Sequence, residues 1–230
     1  MSFTENKKTP KASATQERIY QTALKLFCKK GFEQSSMREI SKQANVALGA
    51  TYYYFKSKDA IVMEFYAQTQ KEIFIKVQST LKEKQDLKTR IKALVLAEFE
   101  NKKPYRNLVG ALARIGSDPQ HPLSPFSPHT EAIRSRSLEI CRSIIEDTKT
   151  PLPKDLKTYL PQLLWFYHLG MLFFWIHDQS DNQERSHRLL EESLEIMMRL
   201  LKLAKLPMMA KFRKSTVKML EDFLSDTFFK

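Results

Sequence analysis

The segment 36–58 constrains the fold of this chain more than any other stretch. It holds two short helical patterns separated by a tight turn at Asn45, a residue that tolerates the left-handed conformation such a turn needs. Ser36 and Glu39 form a capping-box pattern, which predicts the start of the first of these helices. A longer helical pattern precedes them, and the three together predict a helix-turn-helix unit.

Cap and stop signals divide the N-terminal region into four helices. Ser13 with Gln16 fits another capping box, and Gly31 suits the left-handed residue that follows a helix. Ser57 can cap the helix that follows the segment. The four helices are predicted at 13–30, 36–44, 47–55 and 58–84.

The remainder of the chain keeps a helical periodicity, and no stretch alternates in the way that predicts a β-strand. Four prolines within 117–128 predict a loop, because proline cannot donate a backbone hydrogen bond. We therefore predict an all-α chain. Its further helices are predicted at 86–102, 104–116, 128–148, 153–178, 182–205 and 208–228.

Positive charge is concentrated in the N-terminal quarter. The formal net charge is +12, and residues 1–60 supply half of it, since 11 Lys and Arg there face 5 Asp and Glu. This asymmetry indicates a polyanionic partner. A generally basic soluble protein is the alternative reading of the same charge.

Composition speaks against several other classes of protein. Cys28 and Cys141 lie far apart and suggest neither a disulfide nor a metal framework, so no metal or cofactor is expected. The apolar run 163–176 is shorter than the roughly 20 residues of a membrane span. Residues 1–14 lack the apolar core of a signal peptide. We predict a cytoplasmic protein with no membrane partner.

The third helix has the composition of a helix that lies in a DNA groove. Small or apolar residues let its backbone approach the bases, and Leu48 and Ala50 could touch thymine methyl groups, with Ala47 beside them. Arg38 is the candidate for a contact with a base edge, although it could instead pair with Glu39 or Glu33. Side chains suited to phosphate oxygens are Ser36, Thr51, Tyr52, Tyr53, Lys56 and Lys58.

Two of the neighbouring residues have a competing structural interpretation. Ser36 could simply cap its helix, and Tyr54 could pack inside the small domain instead of binding. Lys58 lies at the start of the fourth helix, where backbone N–H groups also favour a phosphate.

Residues 13–65 resemble the DNA-binding domain of TetR/AcrR-type transcriptional regulators. Asn45 stands where that family commonly has Gly, and Thr51 stands where it commonly has Leu. The resemblance implies that double-stranded DNA is a partner and that Tyr52, Tyr53 and Lys58 contact phosphates. The matching residues are Ile19, Ala23, Leu26, Phe27, Gly31, Phe32, Met37, Arg38, Glu39, Ile40, Ala44, Asn45, Val46, Tyr52, Tyr53, Tyr54, Phe55, Lys56, Ser57 and Lys58.

The resemblance also implies a domain organisation. We predict a flexible basic arm at 1–12, a helix-turn-helix DNA-binding domain at 13–60, and a helical effector-binding and dimerisation domain at 61–230. Within the predicted helix 153–178, the stretch 159–176 is apolar on nearly every face, so it needs a partner surface or a cavity. With 182–205 it could form half of a four-helix bundle in a homodimer, the alternative being a monomer with a very apolar core.

Aromatic and soft residues on the central helices are candidates for contacting a small-molecule effector. An apolar pocket would suit a lipophilic ligand. The same side chains could equally be ordinary core, and His168 could be a hydrogen-bonded core histidine. The candidates are Phe99, Tyr105, Trp165, Phe166, His168 and Met171.

These observations bear on three candidate functions. The first is a dimeric repressor that a small, lipophilic effector releases from a palindromic operator. The second is a DNA-binding protein of the same fold whose C-terminal domain docks a protein; an enclosed cavity would favour the first, and an open apolar groove the second. The third, an enzyme, finds no support in a phosphate-binding loop, a nucleophile motif or a metal-binding histidine pair.

Overall fold

The computed structural model describes residues 10–80, 85–146 and 148–227. These residues form helices joined by turns, and no strand is found among them. Within them, no helix combines the length and the apolarity needed to cross a membrane. The predicted all-α class is confirmed. The first four helices are α1 (Pro10–Lys30), α2 (Met37–Gln43), α3 (Leu48–Tyr54) and α4 (Lys58–Thr80).

The turns between these helices are made by the residues that the sequence indicated. Gly31, with φ of 96°, follows α1, and Asn45, with φ of 50°, follows α2. The Ser36 side chain caps α2 by accepting a hydrogen bond from the Glu39 N–H at 3.2 Å. The Ser57 hydroxyl caps α4 in the same way, at 3.1 Å from the Ala60 nitrogen. Local chemistry therefore sets the ends of the short helices.

The start of the first helix differs from the prediction. It begins at Pro10, and Ser13 lies inside it, so the predicted cap at Ser13 is wrong. Proline is well tolerated in the first turn of a helix because its missing N–H would have no intrahelical partner there. The predicted flexible arm overlaps this helix at its last residues, and residues 1–9 lie outside the described part of the chain.

Seven further α-helices follow within the described ranges. The loop predicted at 117–128 is confirmed as a series of turns between α6 and α7. The predicted helix 153–178 is divided in two at Pro161, near the start of α9. Proline has no N–H to donate, and its ring clashes with the carbonyl group four positions earlier in a continuous helix. The helices are α5 (Leu87–Lys102), α6 (Arg106–Gly116), α7 (Glu131–Glu146), α8 (Lys154–Lys157), α9 (Leu160–His177), α10 (Glu184–Leu203) and α11 (Ala210–Thr227).

The buried side chains form two clusters. The first joins the N-terminal unit to α6, with Phe27, Ile40, Phe65 and Leu108 among its fully or almost fully buried members. The second lies farther from the N-terminal unit and joins α4, α5, α7, α9 and α10. Because α4 contributes to both clusters, it physically connects the helix-turn-helix to the larger helical region.

Helix α9 is buried on one side and exposes apolar residues on the other. Trp165 and Trp175 are buried, whereas Phe173 and Phe174 are exposed. The stripe of α9 formed by Leu163, Tyr167, Gly170 and Phe174 runs beside the stripe of α10 formed by Leu189, Ser193, Ile196 and Leu200. A hydrogen bond of 2.7 Å between the Tyr167 and Ser193 hydroxyls joins them. These two stripes are called the α9–α10 face.

Candidate nucleic-acid interface and ligand cavity

Helices α2 and α3 are held at a fixed angle by a compact turn. The Val46 N–H donates to the Ser41 carbonyl at 3.0 Å, and the Asn45 N–H donates to the Lys42 carbonyl at 3.2 Å. Ile40 and Ala44 anchor α2 in the first core cluster, and Val46 packs against that cluster. This anchoring leaves one side of α2 and α3 free to meet a partner.

The side of the unit that remains exposed carries most of the residues predicted to bind DNA. Arg38 projects from α2, and Leu48, Tyr52 and Tyr53 project from α3. The exposed fraction of Tyr53 is 74%, the highest of the tyrosines in the run. Ala50 is half-buried. The exposed predicted residues are Ser36, Arg38, Ala47, Leu48, Tyr52, Tyr53 and Lys56.

Arg38 is available for a contact outside the protein. Glu39, one of its proposed alternative partners, forms an ion pair with Lys30 at 2.9 Å. The side chain of Arg38 has no hydrogen bond or ion pair to any residue within the described ranges. Arg38 therefore remains the candidate for a base contact.

Thr51 does not reach the surface. It is fully buried, and its hydroxyl donates to the Ala47 carbonyl one helical turn earlier, at 3.3 Å. The predicted contact between Thr51 and a phosphate is therefore wrong. The helical periodicity explains the correction, since Tyr52 and Tyr53 occupy the outward side of α3 and Thr51 the inward side.

Lys58 is engaged by the protein itself. Its ammonium group donates to the carbonyls of Phe32, at 2.7 Å, and Glu33, at 3.3 Å. The same group lies 4.5 Å from the centre of the Phe32 ring. These contacts fasten the turn after α1 to the start of α4. A phosphate contact by Lys58 would use its remaining N–H group.

Tyr54 packs inside the small domain, which was the structural alternative to a role in DNA binding. It is half-buried against the first core cluster, and its ring makes an edge contact with that of Tyr53, 5.2 Å between centres. Tyr54 thus supports the orientation of an exposed neighbour.

A cavity of about 510 Å³ lies in the larger helical region. Residues of α4, α5, α6, α7 and α9 and of the loop 117–127 line it. Trp165, Phe166 and His168 are among the lining residues, as the sequence predicted. The exposed residues Gly170 and Phe173 also line the cavity, so it reaches the surface beside the α9–α10 face.

Three predicted effector contacts are absent from the lining of this cavity. Phe99 is buried in the second cluster and stacks on Trp175, with 5.3 Å between ring centres. Tyr105 packs edge-on against Phe65 at 5.2 Å, outside the lining. Met171 instead lines a shallow groove of the α9–α10 face. Composition alone cannot separate such core positions from lining positions, because both are apolar and both recur at helical spacing.

Several polar groups are buried at the cavity wall. Glu98 pairs with Lys102 one turn later on α5. Burial acts to raise the pKa of the Glu98 carboxyl, but the charge and hydrogen bond of Lys102, together with the effect of His168, outweigh burial and leave this pKa below its usual value. Burial lowers the pKa of His168, so its imidazole is neutral at pH 7. Within the described ranges, the His168 Nδ1 has no hydrogen-bond partner.

Sequence reasoning missed Gln70, Glu98 and Arg134, although a signal was present. Arg134 lies in helical phase with the apolar positions Leu138 and Cys141 on α7. A charged residue on the apolar stripe of a helix must be buried against a partner or beside a polar cavity. A search for polar or charged residues at apolar positions of a helical stripe would therefore have identified these three residues. Among the described residues, no group of three or more His, Cys, Asp or Glu side chains is arranged to hold a metal.

The chain matches two family models. Residues 19–65 match the model for bacterial regulatory proteins of the tetR family. Residues 90–216, more than half of the chain, match the model for the tetracyclin repressor-like C-terminal domain. The chain belongs to the TetR family of DNA-binding transcriptional regulators. The resemblance seen in the N-terminal sequence is confirmed, and it extends to the larger helical region.

Individual relatives are distant. The uncharacterized HTH-type transcriptional regulator YuxN of Bacillus subtilis is 25% identical over 128 residues, 56% of this chain and 41% of the relative. The fatty acid metabolism regulator protein of Bacillus subtilis is 28% identical over 81 residues, 35% of this chain and 42% of the relative. The chain thus spans about two fifths of the length of these curated relatives.

Solved structures share the fold. The transcriptional regulator FadR of Bacillus subtilis, in complex with stearoyl-CoA, superposes with a TM-score of 0.60 at 21% identity, covering 76% of this chain and 95% of FadR. GusR of Salmonella enterica superposes with a TM-score of 0.63 at 20% identity, covering 86% of this chain and all of GusR (100%). At these identities the likeness establishes the fold alone.

Proposed function

We propose that this TetR-family regulator is a homodimeric repressor, which a small lipophilic effector releases from a palindromic operator. The observation that carries the ligand response is the position of the cavity. Phe65 of α4 and Val109 and Leu112 of α6 line the cavity and also belong to the core cluster that holds α1 and α2. A ligand in the cavity would contact the helices that support the DNA-binding unit.

This connection supplies a physical route for regulation. A ligand weakens DNA binding only if it binds better to a conformation in which the two DNA-binding units are wrongly spaced. Displacing α4 or α6 would move the N-terminal unit, because their shared core is close-packed. A cavity of this size also favours a small ligand over the docking of a protein segment.

The lipophilic character of the effector rests on the lining and on the relatives. Most of the cavity wall is apolar, with aromatic side chains from the loop and α9. One fold neighbour was solved with stearoyl-CoA, and one relative is named for fatty acid metabolism. These names belong to those proteins, and here they support the choice of ligand class.

The α9–α10 face supports the dimer. Its exposed apolar residues lie on two adjacent helices and would be covered in a four-helix bundle with a second copy. Two copies would present two DNA-binding units to half-sites roughly 34–36 Å apart.

Selection of bound sequences from a random DNA pool tests the proposal. The expected result is a near-palindrome, protected in footprinting, to which the protein binds at least about a thousandfold more tightly than to random DNA. Equal affinity for selected and random DNA would contradict a specific regulator. Binding to a single half-site without symmetry would contradict the dimer.

A further inference from the structure

Arg134 is a buried cation without a counter-ion. Its exposed fraction is 7%. One terminal nitrogen, Nη1, donates to the carbonyls of Pro125 at 2.9 Å and Ser127 at 3.2 Å. No carboxylate within the described ranges forms an ion pair with Arg134. Within the same ranges, its Nε and Nη2 groups donate no hydrogen bond. These groups lie at the wall of the cavity and keep access to it. A charge with so little exposure is stabilised by a nearby anion, so this arrangement suits an acidic group in the cavity.

Other charges at the cavity wall do not supply that anion. The Glu98 carboxylate is neutralised by Lys102 on its own helix. His168 is neutral at pH 7, because burial lowers its pKa. The guanidinium of Arg134 is therefore the positive charge left without compensation at the wall of the cavity.

Neighbouring side chains extend the polar patch around Arg134. Ser137 lies one helical turn later on α7. The Gln70 Nε2 donates to the Ile133 carbonyl at 2.8 Å and to the Ser137 hydroxyl, which orients the amide. Its Oε1 is buried and has no partner in the described part of the chain. The patch thus offers donors for an anion and one acceptor for an N–H or O–H group.

We infer that the cavity takes an amphiphile whose acidic head pairs with Arg134 and whose apolar chain lies along the aromatic wall. This inference rests on the proposed function, since it names the ligand class of the same cavity. The acidic head is either the carboxylate of a free fatty acid or a phosphate of an acyl thioester of coenzyme A. Both present anionic oxygens to the guanidinium, and the thioester also carries amide N–H groups.

Head-group preference of the unaltered protein is the primary test. Laurate, lauroyl-CoA and dodecanol share a chain length and differ at the head. Each is titrated by calorimetry, laurate and lauroyl-CoA below their critical micelle concentrations and dodecanol below its solubility limit. At least one of the two acidic ligands is expected to bind about tenfold to a hundredfold more tightly than dodecanol. Whichever acidic ligand binds more tightly shows whether the cavity prefers a carboxylate or a CoA head group. Equal affinity for all three would overturn the inference.

Variants then assign the preference to Arg134. Arg134→Gln is expected to bring the affinity for the preferred acidic ligand close to that for dodecanol. Arg136→Gln removes an exposed arginine of the same helix and is expected to keep the preference. A preference that survives in Arg134→Gln would overturn the role of this residue. Because Arg134 also holds the loop through two carbonyls, the result in the unaltered protein stands even if this variant unfolds.

The two proposals fail separately. Selective binding of the acidic ligand without loss of operator binding in an electrophoretic shift assay contradicts the proposed release mechanism and supports the ligand class. Release of the operator by dodecanol, laurate and lauroyl-CoA at equal concentrations contradicts the ligand class and supports the release mechanism.

Discussion

Single residues on the helix-turn-helix divide into those that face outward and those that hold the unit together. Tyr53 and Arg38 project from it, whereas Thr51 and most of the ammonium group of Lys58 are used inside the protein. Adjacent positions in one short sequence therefore have opposite roles. Substitutions at these positions should separate loss of DNA binding from loss of stability.

Arg38 is expected to read a base. Arg38→Ala should weaken operator binding by about 1–3 kcal/mol and relax the preference at one base pair in each half-site, because a bidentate contact to a base edge is lost. Affinity for all single-base operator variants provides the measurement. Lys42→Ala, an exposed basic residue of the same helix, is the control and should weaken binding evenly across sequences. An even loss in Arg38→Ala would assign Arg38 to phosphate instead.

Hydroxyl removal at Thr51 and Tyr53 should have opposite consequences. Thr51→Val keeps the buried shape and removes one hydrogen bond, so it should lower the free energy of unfolding by about 0.5–1.5 kcal/mol and leave DNA affinity unchanged. Tyr53→Phe should leave stability within about 0.5 kcal/mol and lower DNA affinity several-fold. Urea denaturation and operator titration of both variants provide the comparison. Reduced DNA affinity in a stable Thr51→Val would restore the phosphate role of Thr51.

At the scale of elements, cap and stop residues predicted most helix boundaries, and the failures have definite causes. Asn45 and Ser57 act through contacts with their own neighbours in sequence, so their effect is visible in the sequence. Ser13 matches the same local pattern, but the helix continues through it to Pro10. The division of 153–178 follows from Pro161, a signal that was visible and was outweighed by the apolar periodicity.

The link between α9 and α10 depends on one buried carboxylate. Asp178 accepts hydrogen bonds from the Ser186 N–H at 2.8 Å and hydroxyl at 2.6 Å, and from the Ser180 N–H at 2.9 Å and hydroxyl at 2.6 Å. Burial acts to raise the pKa of Asp178, but these hydrogen bonds outweigh it and hold the pKa well below its usual range. The charged form is therefore favoured in the folded state.

This depressed pKa predicts the direction of an acid effect. Because the folded-state pKa lies below the unfolded value of about 4, the contribution of Asp178 is complete above that pH and is lost as the pH falls further. Asp178→Asn should lower the free energy of unfolding at pH 7 by about 1–3 kcal/mol and flatten its decline between about pH 5 and pH 2. Denaturant titrations at several pH values measure both effects.

Asp181→Asn is the matched control, since Asp181 is an exposed carboxylate in the same connection. It should leave the free energy of unfolding at pH 7 within about 0.5 kcal/mol of the unaltered protein. An Asp178→Asn variant as stable as this control at pH 7 would show that the four hydrogen bonds do not stabilise the connection.

At the scale of the whole molecule, the proposed dimer contact and the proposed ligand site meet on α9. The inner side of α9 lines the cavity, and its outer side belongs to the α9–α10 face. Gly170 lies on both, so the proposed ligand site adjoins the proposed dimer contact. A ligand that shifts α9 would alter the spacing of two DNA-binding units as well as the support of each one.

Substitution of two isoleucines with nearly equal exposure tests whether the α9–α10 face is the dimer contact. Ile196 on the α9–α10 face is 58% exposed, and Ile75 on α4 is 57% exposed. Ile196→Glu should yield monomers in light scattering and weaken operator binding, because the charge would be buried without a partner in the bundle. Ile75→Glu should leave both properties unchanged. Dimers of undiminished stability in Ile196→Glu would exclude this face as the contact.

The sequence by itself determined the all-α class, the helix-turn-helix, the main helix boundaries and most of the outward residues of the DNA-binding unit. Periodicity, caps and turns are interactions between residues close in the chain, so a single sequence displays them. Only the tertiary structure decided which apolar residues line the cavity, that Thr51 and Lys58 are engaged internally, and that Arg134 stands as a buried cation at the cavity wall. Those properties arise where α4, α7, α9 and the loop meet. An interrupted apolar stripe can mark a residue such as Arg134 in the sequence, but only contacts between distant segments decide what that residue faces.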